Sequence, residues 1–132
     1  VLIDANGINE SDDVPDGTFT AIGLADNFGV RWEGYIRIPQ TGTYTFQTYS
    51  DDGVRLALKK NNANGTSLAP LSNSTPYCID NWTYHSGTTN TTRSITLNAG
   101  DVVWLQMDYF EGGGSAFAKL NWQLPGSTVY ET

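Results

Sequence analysis

The chain has 132 residues and a formal charge of −7, enough length for one domain with a real core. Such an acidic surface repels phosphate backbones and anionic lipid heads, which excludes nucleic acid and direct membrane insertion. Cys78 is the only cysteine, so an internal disulfide and a Cys-rich zinc centre are excluded, and it reads as a small apolar residue.

No apolar run approaches the ~20 residues of a membrane span. The segment from Val1 lacks the basic and apolar regions of a signal peptide. The expectation is therefore a single domain over 1–132, a monomeric module cut from a longer extracellular polypeptide. N-x-Ser/Thr sequons at Asn9, Asn64, Asn73, Asn81 and Asn90 give a weak hint of a secreted source.

In chain order, residues 1–27, with "SDDVPDG", read as a lead-in with one or two short strands. Period-two alternation then dominates, and no helical period stands out. In "NFGVRWEGYIRIP" Val30, Trp32, Ile36 and Ile38 share one face, and Arg31, Glu33 and Arg37 the other. The turn "QTGT" reverses the chain into "YTFQTYS", where Tyr44 and Phe46 lie together. After Asp51-Asp52, "GVRLALKK" sets Val54, Leu56 and Leu58 opposite Arg55 and Lys59. Residues 61–93 show no period, and a connection of that length is functional or mobile. Then "RSITL", the turn "NAGD", "VVWLQMDYF", the loop "EGGGS" and "AFAKLNWQL" repeat the strand-turn-strand pattern. Val103, Leu105 and Met107 line one face there; Ala118, Leu120 and Trp122 line another. One apolar face per strand predicts an all-β fold, an antiparallel two-sheet β-sandwich with jelly-roll character.

The adjacent carboxylates of Asp51 and Asp52 have two readings. They either make an acidic hairpin turn or form half of a cation site. If "SDDG" and "EGGGS" share one end of the sandwich, Asp51, Asp52 and Glu111 offer carboxylate oxygens. Gly112, Gly113 and Gly114 offer carbonyls unshielded by a Cβ. An all-oxygen set suits Ca²⁺ and not Zn²⁺. For neighbouring aspartates to grip one ion the chain must turn sharply, which a cis Asp51–Asp52 bond would achieve.

The series "NFGVRWEGYIRIPQTGTYTFQTYSDDGVRL", "IDNW" and "ITLNAGDVVWLQMDYFEGGGSAFAKLNW" resembles the protective-antigen-type (PA-fourteen) domain family over about residues 27–124. The resemblance implies an extracellular or cell-surface β-sandwich, as in adhesins, flocculins, toxins and polysaccharide-degrading assemblies. Its lectin-type members hold Ca²⁺ with an Asp-cis-Asp pair and a second loop. By position these fall on Asp51 and Asp52, and on Glu111 to Gly114, with Gly112 and Gly114 as carbonyl ligands. Two departures are the long "KKNNANGTSLAPLSNSTPYC" insertion and the missing Gly- and Tyr-rich first strand.

The expected function is a calcium-dependent carbohydrate-binding, lectin-like module, with Ca²⁺ joining Asp51 and Asp52 to vicinal hydroxyls of a glycan or polysaccharide. Tyr49, Tyr109, Phe110, Gly113, Trp82 and His85 surround the loops. Alternation turns one of Tyr109 and Phe110 inward, the resemblance implies that Trp82 packs in the core, and His85 is expected in a solvated loop. The alternative is a non-catalytic structural or protein-interaction module in which calcium rigidifies a loop. An enzyme is not expected. Glycosidases need two carboxylates about 5–9.5 Å apart flanking a bond, and no nucleophilic triad assembles around His85.

Overall fold

The structure, a computed structural model, describes residues 3–6, 24, 26–61, 68–71 and 76–132. The sequons at Asn9, Asn64 and Asn73, most of the lead-in and part of the insertion lie outside the described residues. No helix among the described residues is long and apolar enough to cross a membrane.

Ten strands are described: β1 (Ile3–Asn6), β2 (Phe28–Arg37), β3 (Gly42–Asp51), β4 (Val54–Asn61), β5 (Leu68–Pro70), β6 (Ile79–Asn81), β7 (Thr88–Thr91), β8 (Ile95–Leu97), β9 (Val102–Glu111) and β10 (Phe117–Gln123). They form two five-stranded antiparallel sheets. The first runs β1-β10-β3, with β7 and β8 following each other along the free edge of β3. The second runs β2-β9-β4, with β5 and β6 along β4.

Alternation builds the core. Tyr44, Phe46, Leu97 and Leu120 from the first sheet meet Val54, Leu56, Val103 and Met107 from the second, all at 0% exposure. Trp122 packs beside Tyr44 and Phe46, ring centroids 5.7 and 6.3 Å away. Burying each such side chain contributes about 1.5–3 kcal/mol. Where β7 gives way to β8, Thr92 fills the gap. Its N–H donates to Phe46 O (2.8 Å), and its Oγ1 accepts the Phe46 N–H (2.9 Å).

Two expectations are corrected. The turns at 38–41, 52–53, 98–101 and 112–116 are not hairpins, because β2 and β3, β3 and β4, β8 and β9, and β9 and β10 lie in opposite sheets. Each turn arches over the core. Residues 61–93 are also not without strands, since β5, β6 and β7 cover both edges.

The arches sort by end. At one end Ile38 N–H donates to Asp101 O (2.8 Å) and Ala99 N–H to Thr41 Oγ1 (3.0 Å). At the other, Phe117 sits opposite Asp51, and Phe28 opposite Glu111. "SDDG" and "EGGGS" therefore meet at one tip.

Candidate cation and ligand site

Asp51 closes β3 and Val54 opens β4, with a cis Asp51–Asp52 peptide between them. Asp52 is 5% exposed and joins two further loops. Its Oδ1 accepts the His85 N–H (2.8 Å) and its Oδ2 the Gly112 N–H (3.0 Å). Across the tip, Glu111 ends β9 at 1% exposure. The Tyr109 hydroxyl lies 3.0 Å from Glu111 Oε2 and also donates to the Asp51 carbonyl. One hydroxyl hydrogen cannot serve both acceptors fully. Glu111 Oε1 is buried with no hydrogen-bond partner. Ligand oxygens of Asp51, Asp52 and Glu111 all lie within 4.8 Å of one another.

The electrostatics of this cluster are unbalanced. Burial, then the charge of Asp52, raises the Asp51 carboxyl, while His85 and the Gly87 N–H pull it down. Burial likewise raises Glu111, with the Tyr109 hydroxyl and the Gly113 N–H opposing and both aspartates adding to the rise. Tyr109 is held far above its ordinary range by burial and by Glu111. An ionised Glu111 thus has no formed hydrogen bond on Oε1 and a shared one on Oε2. The opposing donors do not offset its burial, so a cation or a proton would supply what is missing. The donor set is all oxygen, which fits a hard cation such as Ca²⁺.

The other predicted residues divide by face. Tyr109 points inward and is fully buried, whereas Phe110 is half-buried on the outer face of the second sheet. Gly112 packs so closely under Tyr84 that a Cβ would meet the ring at 2.1 Å. Gly113 and Gly114 are exposed, and Gly114 has φ +106 with open space around it. Tyr49 sits on the first sheet's outer side, its ring 4.8 Å from Phe117, so it and Phe110 flank the tip from opposite sides.

Two placements differ from expectation. Trp82 is not in the core but 37% exposed. Its ring meets Phe110 edge-on at 4.8 Å and lies 4.6 Å beneath the Arg55 guanidinium. His85 is not a freely solvated side chain. It is half-buried, its backbone is bound to Asp52, its Nδ1 is 2.9 Å from Ser86 O, and its Nε2 is buried without a partner.

Trp82, Thr83, Tyr84, Phe110, Asn27 and Glu111 line an open cleft of about 590 Å³ beside the carboxylates. Sequence reasoning missed Tyr84, Gly87 and Asp26. Asp26 accepts the Gly114 N–H (3.2 Å). Tyr84 stacks edge-on to Phe110 at 5.2 Å. The signal for Asp26 was its place just before a strand that begins beside "EGGG". The loop carrying Tyr84 and Gly87 gave no periodic signal.

These features define an all-β sandwich module with an acidic, aromatic-flanked tip. The chain belongs to the PA14 domain family, whose model matches residues 4–131, beyond both ends of the stretch carrying the motifs. It is 33% identical over 113 residues to the anti-sigma-I factor RsgI3 of Acetivibrio thermocellus, covering 80% of this chain and 15% of that protein. A solved anti-sigma factor domain-containing protein is 32% identical with a TM-score of 0.69, over 89% of this chain and 35% of that one. The epithelial adhesin 9 A domain of Candida glabrata, solved in complex with Galb1-4GlcNAc, is 17% identical with a TM-score of 0.66. That match covers 98% of this chain and 62% of the adhesin chain and shows the shared fold. The chain thus spans only a fraction of each relative's length.

Proposed function

We propose that this domain is a calcium-dependent carbohydrate-binding module of an extracellular or surface protein, an adhesin or a polysaccharide-degrading assembly. The observation that carries the reading is the cluster of Asp51, Asp52 and Glu111 oxygens within 4.8 Å, with Glu111 Oε1 unpartnered. Asp51, Asp52 and Glu111 would hold the ion, with glycine-loop carbonyls completing an oxygen shell. A bound Ca²⁺ supplies a hard centre that two vicinal sugar hydroxyls can coordinate in place of water.

The chain's own residues do the rest. Asp52 fixes the 82–87 and 112–114 loops relative to each other through its two backbone hydrogen bonds. Trp82, Tyr84 and Phe110 offer the cleft an aromatic wall against which the apolar face of a sugar can lie. Arg55, over Trp82 and 2.9 Å from Asp80, holds the indole in place. The acidic balance disfavours strongly anionic glycans as the main target. A glycan-bound adhesin sharing this fold supports the reading.

The likeness to anti-sigma factors, nearer in sequence than the adhesin, favours a second reading. There the domain is a non-catalytic interaction module and the ion stiffens the tip. A glycan array probed in calcium and in chelator separates the two. Hits that vanish in chelator and in Asp52→Asn support the lectin-like reading. Hits that persist, or none, support the second.

A further inference from the structure

We infer that Asp26 is a positioning residue for the cation site, holding the glycine loop in register from the neighbouring strand. This rests on the cation reading above. Phe28 of β2 pairs with Glu111 of β9, so the residues before β2 lie beside those after β9. From there Asp26 Oδ1 accepts the Gly114 N–H at 3.2 Å. Asp26 is absent from the carboxylates within 4.8 Å of one another, so it acts through the loop and not as a member of that cluster.

The loop needs such a tether. Three consecutive glycines have more backbone freedom to lose than any other run of residues. Gly114 adopts φ +106 with nothing within 4 Å of a notional Cβ, so side-chain packing does not hold it there. Hydrogen bonds at both ends do. Gly112 N–H is bound by Asp52 and Gly114 N–H by Asp26, while the Gly113 N–H between them acts on the Glu111 carboxylate. In a trans peptide the N–H and the preceding carbonyl point in opposite directions. With the Gly114 N–H turned onto Asp26, the Gly113 carbonyl is therefore fixed facing away from it. A glycine loop ordered in this way presents its carbonyls, those of Gly112 and Gly114 among them, without first paying the loop's ordering entropy, the effect for which outer-shell partners are retained at metal sites.

The test titrates Ca²⁺ calorimetrically into the whole chain and into Asp26→Ala, Asp26→Asn and Asp51→Asn. Amide exchange of Gly114 is followed by NMR in chelator. Asp26→Ala should weaken calcium about tenfold or more, while Asp26→Asn, whose amide oxygen still accepts the N–H, stays within about threefold of the parent. Without any ion, Gly114 exchange should rise in Asp26→Ala and return in Asp26→Asn. Unchanged affinity in Asp26→Ala, or equal losses in Asp26→Ala and Asp26→Asn, overturns the proposal, the latter because charge alone would then explain the effect. Should Asp51→Asn also bind calcium like the parent, the cation reading itself falls. If only Asp51→Asn loses binding, the cation reading stands and the role of Asp26 falls.

Discussion

Glycines at the tip have unlike reasons for being glycine. A Cβ on Gly112 would strike the Tyr84 ring, and Gly114 needs its left-handed conformation, while Gly113 has only an ordinary contact 3.7 Å from Asp26. Gly112→Ala should cost about 1–3 kcal/mol by overpacking, and Gly114→Ala a similar amount through backbone strain. Gly113→Ala should stay within about 0.5 kcal/mol of the parent. Denaturant midpoints of the three variants in chelator give this ranking directly. The sequence showed a run of glycines beside carboxylates, and so the tip was legible. It did not show which glycine faces a ring, because Tyr84 arrives from an aperiodic loop. Trp82 was placed in the core by the family resemblance alone: without a period there is no face to check it against, and the Arg55 guanidinium above its ring leaves no mark in local pattern.

Strand positions were legible from alternation, but the sheet to which each belongs was not. Period two says that a strand has one apolar face; it does not say which partner lies beside it. The link between Asp51 and Val54 shows why. Two intervening residues look like a hairpin turn. Yet three Cα steps, one of about 2.9 Å across the cis peptide and two of about 3.8 Å, also bridge the roughly 10 Å between packed sheets, and the chain takes that path. Gly53 serves the arch by space: a Cβ there would come within 2.0 Å of Phe110, whose N–H donates to Gly53 O (2.9 Å). The break between β7 and β8 depends on Thr92 Oγ1 accepting the buried Phe46 N–H. Thr92→Val keeps the shape and orphans that donor, so it should cost about 1–3 kcal/mol, whereas Thr92→Ser should recover most of the loss. Equal stability of the valine and serine variants in urea unfolding would contradict this account of the join.

For the molecule as a whole, the crowded tip couples stability to pH. Asp51 and Glu111 are both raised, chiefly by burial. In the free protein their contribution is therefore complete below the ordinary carboxylate range, about pH 4, and fades as pH rises through their raised values. A bound cation requires the ionised forms, so its stabilisation grows over the same interval. In chelator the parent's melting temperature should fall between about pH 4 and neutrality more steeply than that of an Asp51→Asn, Glu111→Gln double variant. The increment from added calcium should rise across that window in the parent and be missing from the double variant. Parallel curves would show that the tip carboxylates do not set the pH response.

The central claim is a calcium ion seated among Asp51, Asp52 and Glu111. Long-wavelength anomalous diffraction from crystals grown in calcium addresses it most directly. The expected result is a calcium peak at about 2.3–2.6 Å from oxygens of all three side chains. A peak elsewhere on the domain, or only water between those carboxylates, would contradict it.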